Sequence, residues 1–270
     1  MSNNEIDYFR KLWAFAPLSW AIIRTNECAL LANIKYMSPI LEVGCGDGLV
    51  SEIVLNNKKV QVDLGIDLDV DEIRRAKKKG IYKEIKLIDI TQGKIKENYY
   101  NTVFANGVLE HIPDLVAALA SINKSLKKGG YFYTTSPSAN FSNLLFFYRL
   151  FSKLGMSRLA HNYEKSLNNL FFHKHLLTPS QWEKLLLKNG FDIEKIVFYN
   201  NKQIVWIHEL SLPFAFATKL IKRFTDRMVL FATLRRQLVA LCVSIFIPVF
   251  LQNSSGYSKN GSLFIIARKK

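Results

Sequence analysis

The feature that most constrains the fold is a glycine-rich loop placed directly after a short apolar run. Ile40–Val43 leads into the loop Gly44–Gly48, and an apolar helical pattern follows over Leu49–Leu55. Glycine lacks a Cβ atom, so a loop of this kind lets the backbone pass close to a ligand. A strand, a glycine loop and a helix in this order are typical of the first unit of a nucleotide-binding sheet.

The alternation of strand and helix patterns continues along the chain and predicts an α/β fold. Apolar segments of strand length are separated by helical patterns, which is the rhythm of a doubly wound parallel sheet. The predicted strands are Val60–Ile66, Ile85–Ile88, Asn101–Ala105 and Tyr131–Thr135; the predicted helices are Val70–Lys79 and Asp114–Leu126, with a tight turn at Lys128–Gly130. In such a sheet the ligand lies beyond the carboxyl ends of the strands.

The loop residues indicate which nucleotide-like ligand the sheet would bind. A dinucleotide fingerprint would need glycine at position 49, where Leu49 stands, and no Lys-Ser/Thr pair of a phosphate-binding loop follows the glycines. Glu42 would repel a phosphate but suits a cationic ligand. Asp67 ends the second strand at the distance where a carboxylate binds a ribose diol, and Asp89 follows the third strand, where it could accept from an adenine amino group. Alternatively, each of these two carboxylates caps the helix that follows.

Three motifs carry a resemblance to a known family. Leu41–Gly48, Gly65–Leu68 and Asn106–His111 resemble the motifs of class I S-adenosylmethionine-dependent methyltransferases, most closely those of the small-molecule, methyltransferase type 11-like branch. The resemblance implies a Rossmann-like methyltransferase fold with a seven-stranded, mostly parallel sheet and helical insertions. A late helix would span Thr178–Phe191 and strand six Asp192–Tyr199; Ser262–Arg268 would be strand seven, the antiparallel edge strand.

The resemblance also implies S-adenosylmethionine as the cofactor and assigns its contacts. The methionine moiety would lie along the glycine loop, the ribose on the carboxylate that ends strand two, and the adenine between two apolar side chains. The residues assigned to the cofactor are Glu42, Gly44, Cys45, Gly46, Asp67, Leu68, Asp89, Ile90 and Asn106. No residues are assigned to a metal, because no cluster with metal-ligand spacing is present in the sequence.

His111 is the candidate catalytic residue. It follows strand four beside Glu110, and a base is needed if the methyl acceptor is a hydroxyl or an ammonium group. The alternative is that His111 only positions the helix that follows. Three further histidines, His161, His173 and His175, lie in the insertion after strand five and are candidates for contacts with the acceptor.

Three segments are predicted along the chain. Residues 1–37 form an N-terminal helical segment, residues 38–200 together with 261–270 form the cofactor-binding domain with an aromatic insertion at 141–175, and residues 201–260 form a basic, apolar helical insertion. The total formal charge is +15, and residues 201–270 hold 11 Lys and Arg against 2 Asp and Glu. An excess of this kind indicates a surface that meets an acidic partner.

The last insertion suggests a membrane surface as that partner. Ala217, Leu220, Ile221, Phe224, Met228, Phe231 and Leu234 fall on one helical face, with Lys219, Lys222, Arg223 and Arg227 mostly away from it. The uncharged run Leu238–Leu251 is shorter than the roughly 20 residues that span a bilayer. A basic amphipathic helix beside a short apolar run is typical of proteins that lie on anionic membranes. A helical pair packed on the domain, or a homodimer interface, is the alternative.

The function expected from the sequence is methyl transfer to a hydrophobic or lipid-linked acceptor by a cytoplasmic protein, peripheral at the inner face of the membrane. The alternatives are a soluble small-metabolite methyltransferase with a dimerising insertion, and a non-catalytic S-adenosylmethionine-binding protein. A nucleic-acid partner is not expected, because Asn106–Leu109 reads Asn-Gly-Val-Leu where base-amino methyltransferases typically carry Asn/Asp-Pro-Pro-aromatic. The acidic residues Glu5 and Asp7 argue against a signal peptide.

Overall fold

The computed structural model describes residues 4–225, 229, 232–246, 248 and 260–270; side chains are not described at 4, 57, 216, 217, 219–223, 232 and 233. The chain forms two compact units, each assembled from separate stretches of sequence. The sheet unit comprises Ile34–Ala139, Leu167–Val197 and Ser262–Lys270, and the helical unit comprises Met1–Asn33, Asn140–Ser166 and Phe198–Gly261. The predicted division at residues 37, 200 and 260 stays a prediction.

The described residues form a seven-stranded sheet with helices before, between and after its strands. The strands are β1 Ile40–Val43, β2 Val62–Asp67, β3 Tyr82–Leu87, β4 Tyr100–Asn106, β5 Leu126–Pro137, β6 Phe191–Tyr199 and β7 Ser262–Lys269. The helices are α1 Asn4–Phe15, α2 Leu18–Ala32, α3 Leu49–Leu55, α4 Val70–Lys77, α5 Leu115–Ser125, α6 Phe141–Leu144, α7 Phe146–Lys153, α8 Ser157–Leu170, α9 Pro179–Lys188, α10 Lys202–Thr225 and α11 Ala232–Cys242.

The order of the strands confirms the predicted doubly wound, mostly parallel sheet. It is β3-β2-β1-β4-β5-β7-β6. Strands β1 to β5 pair in parallel, and β7 runs antiparallel to β5 with Thr134 opposite Ile265. The carboxyl ends of β1, β2, β3 and β4 therefore meet at one edge of the sheet, which is where the glycine loop lies.

The predicted place of strand seven at the edge of the sheet is wrong. Strand β7 lies between β5 and β6, and β6 is the edge strand. The burial of the two strands gives the reason: Leu263, Phe264 and Ile265 are consecutive and all buried, as expected for a strand with both faces covered, whereas β6 exposes Asp192 and Glu194.

Two local expectations near the glycines also need correction. Lys128–Gly130, predicted as a tight turn, lies inside β5, which begins at Leu126. The register of β4 and β5 shifts between Tyr100 and Thr102, and Gly129 has φ +74°, so the glycines form an irregularity in the strand rather than a turn. The late helix ends at Lys188 instead of continuing to Phe191, which begins β6.

Other element boundaries move by a few residues. Strand β2 begins at Val62 rather than at position 60, and β3 begins at Tyr82 rather than at Ile85. Helix α4 ends two residues before the predicted Lys79. The start of β3 was predicted too late because only Tyr82 is buried in this strand and its other residues are half-buried or exposed. The strand therefore has only a short apolar pattern in the sequence.

Aromatic packing and carbonyl capping hold α1 in the helical unit. Phe9 stacks on Trp13 with ring centroids 5.2 Å apart, and both rings meet Phe246 edge-on. The guanidinium of Arg235, on α11, donates to the backbone oxygens of Trp13 and Ala16, each at 3.0 Å. A cation at these carbonyls satisfies the acceptors left open at the end of a helix.

A buried carboxyl group ties three helices of this unit together. Glu209, on α10, accepts hydrogen bonds from the backbone N–H groups of Phe146 and Phe147 at the start of α7, the second at 3.2 Å. It also accepts from the hydroxyl of Tyr163 on α8, at 2.6 Å. Burial, together with this hydrogen bond, raises the pKa of Tyr163. An acidic group at a helix N-terminus satisfies open donors and complements the helix dipole.

The neighbouring His208 is buried and accordingly neutral at pH 7. Its Nδ1 lies 2.7 Å from the backbone oxygen of Ser19 in α2. Burial lowers the pKa of His208 to about 4. Together, His208 and Glu209 connect α10 to α2, α7 and α8 by polar contacts across long sequence separations.

Part of the predicted amphipathic insertion lies outside the described residues. This applies to the side chains of Ala217, Lys219, Leu220, Ile221, Lys222, Arg223, Arg227, Met228 and Phe231, and to positions 247 and 249–251 of the apolar run. Within the part of the chain that is described, no helix combines the length and apolarity needed to cross a membrane.

We predict that Glu209→Ala lowers the free energy of unfolding by about 3 kcal/mol, because it leaves three half-buried donors, two N–H groups and a hydroxyl, without their acceptor. Chemical denaturation followed by far-ultraviolet circular dichroism measures this change. Glu183→Ala, at an exposed position of α9, is the matched control and should cost less than about 0.5 kcal/mol. Equal losses in the two variants would contradict the role given to Glu209.

Candidate cofactor and active site

The glycine loop is held to the end of β2 by backbone hydrogen bonds. The N–H groups of Gly44 and Cys45 both donate to the oxygen of Ile66, at 2.8 and 3.0 Å. Gly44 has φ +70°, and a Cβ atom there would lie 2.3 Å from Cγ2 of Val108. At Gly46, with φ +52°, a Cβ atom would meet nothing within 4 Å. The loop is therefore closely packed at its first glycine and open at its second.

Asp67 fixes the loop from the other side. Its Oδ2 accepts from the N–H of Gly46 at 2.7 Å, and its Oδ1 accepts from the N–H groups of Leu68 and Asp69 at 2.7 and 2.9 Å. The N-terminus of α4 is capped by Asp69 rather than by Asp67, because the Asp69 side chain accepts from N–H groups in the first turn of this helix. Asp67 thus joins the ends of β1 and β2 at the expected ribose position, and ribose binding stays a prediction.

Asp89 has the capping role that the sequence left open. Its Oδ1 accepts from the backbone N–H of Thr91 at 2.9 Å and from the Thr91 hydroxyl at 2.7 Å, at the start of the short turn Ile90–Gln92. These hydrogen bonds lower the pKa of Asp89. Ile90 is buried, whereas Leu68, the other predicted flank of the adenine, is 65% exposed. The adenine contacts of these residues remain predictions.

Glu42 faces the interior rather than the open side of the loop. Its two carboxyl oxygens accept from the hydroxyls of Ser51, at 2.7 Å, and Tyr82, at 2.8 Å. Burial raises the pKa of Glu42 to about 8. Glu42 therefore holds its proton near neutral pH, whereas the sequence led us to expect an anion that complements a cationic ligand. The assignment of Glu42 to the cofactor stays untested.

Tyr82 is a site residue that the sequence analysis missed. Its ring lies against two glycines: a Cβ atom would come within 2.9 Å of the ring at Gly65 and 3.1 Å at Gly48. The buried ring thus fills the space behind the glycine loop. An isolated glycine inside a strand, such as Gly65, is the sequence signal for such a close approach. Burial, with the neighbouring Glu42 and Asp67, also raises the pKa of Cys45.

Asn106 ends β4 and is tied to β5. Its Oδ1 accepts from the hydroxyl of the buried Thr135 at 2.6 Å. The N–H of Gly107, with φ +63°, donates to the Thr135 backbone oxygen at 3.2 Å. Because Asn106 ends β4, it lies at the same carboxyl edge as the glycine loop and Asp67, and its contact with the cofactor stays a prediction.

His111 lies in a cluster with two of the three other candidate histidines. Its Nδ1 is 3.2 Å from the backbone oxygen of Phe172, and its ring stacks on His173 with centroids 5.7 Å apart. His175 Nε2 lies 3.0 Å from the oxygen of Ile112, the residue after His111. His161 belongs to the helical unit and is exposed. The described residues contain no group of His, Cys, Asp or Glu that could hold a metal ion.

Comparison with known proteins gives this arrangement a family. The sequence profile of the family described as "Methyltransferase domain" matches residues 21–196, more than half of the chain. The chain belongs to this methyltransferase family. Among its relatives are the ubiquinone biosynthesis O-methyltransferases of Aliivibrio fischeri, 25% identical over 66% of this chain and 72% of that one, and of Rhizobium rhizogenes, 27% identical over 73% and 81%.

Solved structures share the fold of this methyltransferase. An S-adenosylmethionine-dependent methyltransferase of Thermotoga maritima superposes with a TM-score of 0.60 at 16% identity, covering 94% of this chain and 92% of that one. The [4+2]-cyclase SpnF has a TM-score of 0.55 at 16% identity, covering 92% and 80%. At such identities the likeness concerns the fold alone.

The protein is an S-adenosylmethionine-dependent methyltransferase of the small-molecule type, as the resemblance implied. The residues present fit this cofactor: Gly46 opens onto free space, and the loop that carries it is fixed by Asp67 at the carboxyl edge of the sheet. When bound, S-adenosylmethionine supplies a methyl group already activated by the sulfonium. The chain is then required mainly to bind, to orient and to exclude water.

We expect Asp67→Ala to weaken the binding of S-adenosylhomocysteine at least tenfold, because a charged hydrogen bond contributes about 1.5–3 kcal/mol and the loop loses its anchor. Isothermal titration calorimetry measures the affinity. Asp69→Ala is the matched control: it removes the cap of α4 at a cost of about 1 kcal/mol in stability and should leave the affinity unchanged. Unchanged affinity in Asp67→Ala would refute the ribose assignment.

Glu42 should make stability fall as the pH rises. Because its folded pKa of about 8 exceeds the ordinary glutamate value of 4.5, the folded chain keeps a proton that the unfolded chain has released between these two pH values. Stability therefore declines across this window by at most about 1.4 kcal/mol per pH unit. Glu42→Gln, which imitates the protonated side chain, should remove this decline. Denaturant unfolding at pH 5.5 and 8.0 tests it, and parallel profiles for both proteins would contradict a neutral Glu42.

Proposed function

We propose that this methyltransferase methylates a hydroxyl oxygen of a hydrophobic or lipid-linked acceptor at the cytoplasmic face of a membrane. The oxygen acceptor is supported by the relatives, which are named ubiquinone biosynthesis O-methyltransferases. The membrane surface is supported by an apolar stripe on α11, and this stripe is the observation that carries the proposal.

The stripe consists of Leu234, Leu238, Leu241 and Ile245, which are 58%, 54%, 77% and 70% exposed. Their spacing of four, three and four residues puts them on one side of α11 and the turn after it, while Val239 and Val243 on the other side are buried. An aligned row of large exposed apolar side chains marks an interaction surface rather than an ordinary solvated face.

The composition of the sequence that contains this stripe favours a lipid surface. Residues 201–270 hold 11 Lys and Arg against 2 Asp and Glu. Monotopic helices bind membranes in two ways at once. Their apolar face enters the membrane–water interface, and their basic residues meet anionic headgroups.

His111 is the residue that we assign to the acceptor proton. A hydroxyl must lose its proton as the methyl group arrives, and a positioned imidazole can take it. The turn Leu109–His111 follows β4 directly, so His111 belongs to the same carboxyl edge as Asn106. His173 and His175 lie beside it, and the acceptor is proposed to bind next to this cluster.

A second candidate function is a soluble methyltransferase for a small metabolite, with the same stripe covered by a second copy of the chain. The four-three-four spacing favours it, because this is also the spacing of helix–helix seams. The two candidates differ in what covers α11 and therefore in the result of one experiment.

We predict that Leu238→Glu combined with Leu241→Glu weakens binding to vesicles of phosphatidylcholine and phosphatidylglycerol about 100-fold. The reason is that each leucine contributes at least about 1.5 kcal/mol when it enters the membrane. Vesicle flotation measures the bound fraction. Leu187→Glu, at an exposed leucine of α9, is the matched control and should bind as the unmodified chain does. If the unmodified chain does not float and the double variant instead turns a dimer into a monomer in sedimentation analysis, the second candidate replaces the first.

Labelled cofactor tests the acceptor itself. Incubation of the protein with methyl-labelled S-adenosylmethionine and a cell lysate, followed by organic extraction, should place the transferred label in the organic phase. Label confined to small aqueous metabolites would overturn the hydrophobic acceptor. His111→Gln should lower the transfer about 100-fold or more, the usual contribution of a general base.

A further inference from the structure

Residues 171–175 run along the turn that carries His111 and are bound to its backbone. The N–H groups of Lys174 and His175 both donate to the oxygen of Glu110, at 2.7 and 3.2 Å. The Nε2 of His175 lies 3.0 Å from the oxygen of Ile112 and 3.2 Å from that of Pro113. The 171–175 segment is therefore fixed to the chain on both sides of His111.

The backbone of Phe172 brings a carbonyl to His111. Phe172 has φ +57°, a left-handed conformation that is uncommon for a residue with a large side chain. Its oxygen lies 3.2 Å from His111 Nδ1, while its side chain is 69% exposed. The strain at this position is thus compensated by contacts of the main chain and not by burial of the ring.

The carbonyl contact determines which nitrogen of His111 carries the proton. A carbonyl oxygen can only accept, so Nδ1 must be the donor. In the neutral ring Nε2 is then the unprotonated nitrogen, as a general base requires. Glu110 Oε1 lies 3.9 Å from Nε2, where a carboxylate would stabilise the ring once Nε2 has taken a proton.

The ring of His173 lies stacked on the ring of His111. The two rings are nearly parallel, with an interplanar angle of 22°. His173 itself is anchored, because its Nδ1 lies 3.2 Å from Asn168 Oδ1 and its ring contacts that of Phe171 at 5.5 Å between centroids.

We propose that the 171–175 segment orients the base of the reaction: the Phe172 carbonyl holds the proton of His111 on Nδ1, and His173 is a positioning residue that keeps the ring in the plane of that hydrogen bond. The catalytic meaning of this arrangement rests on the proposed role of His111. The arrangement itself can be observed without an acceptor.

The test is a long-range proton–nitrogen correlation spectrum of protein labelled with ¹⁵N-histidine. The chain has five histidines, and His111→Gln identifies the signals of His111 by their loss. We expect a protonated Nδ1 and an unprotonated Nε2, opposite to the tautomer that histidine favours in water. A His111 protonated on Nε2 in the unmodified protein would overturn the proposal.

Three variants separate orientation from general stability. His173→Phe keeps a stacked ring and should preserve the tautomer, whereas His173→Ala should shift it toward protonated Nε2 and lower kcat about tenfold with little change in KM. Phe172→Gly keeps the carbonyl and suits the positive φ, so it is the control that should leave the spectrum of His111 unchanged. An unaltered spectrum in His173→Ala would remove His173 from the mechanism.

The outcomes also distinguish this inference from the proposed function. If the spectrum shows the expected tautomer but His111→Gln transfers methyl groups at the normal rate, the orientation is real and the base is another group. If His111→Gln abolishes transfer while His111 of the unmodified protein carries its proton on Nε2, the role of His111 as the base is supported. The orienting role of the 171–175 segment is then refuted.

Discussion

The site depends on the attachment of the glycine loop to the end of β2. The backbone oxygen of Ile66 accepts hydrogen bonds from two N–H groups of the loop, and the carboxylate of Asp67 accepts one from a third. The ends of β1 and β2 are therefore joined into one edge instead of being two independent loop ends. The space behind this edge is filled by Tyr82, whose hydroxyl is bound by Glu42. The turn with His111 follows β4 at the same carboxyl edge, where the cofactor and the acceptor are proposed to bind.

The sequence predicted those parts of the molecule whose determinants are local. The glycine loop and the succession of strands each depend on a few neighbouring residues. The Asn106 position followed in the same way from the end of a strand. The carboxylates were harder, because Asp67 and Asp89 both follow strands and only three-dimensional partners distinguish a loop anchor from a cap.

What could not be predicted depends on contacts distant in sequence. The place of β7 inside the sheet is set by pairing with β5, more than 120 positions earlier in the chain. Glu209 resembles any acidic residue on a helix until α7 and α8 are brought to it, and the protonated state of Glu42 requires burial that no local pattern encodes. The 171–175 segment belongs to the same class, since its partners lie some 60 residues away.

The two edges of the sheet determine where copies of this chain can associate. Strand β3 exposes Lys83, Glu84 and Lys86, and β6 exposes Asp192 and Glu194, so each free row of backbone groups is flanked by charge. Charged edge strands resist the addition of a foreign strand, which is the first step of amyloid-like growth. The addition of a strand from a second copy is thereby disfavoured at both borders of the sheet.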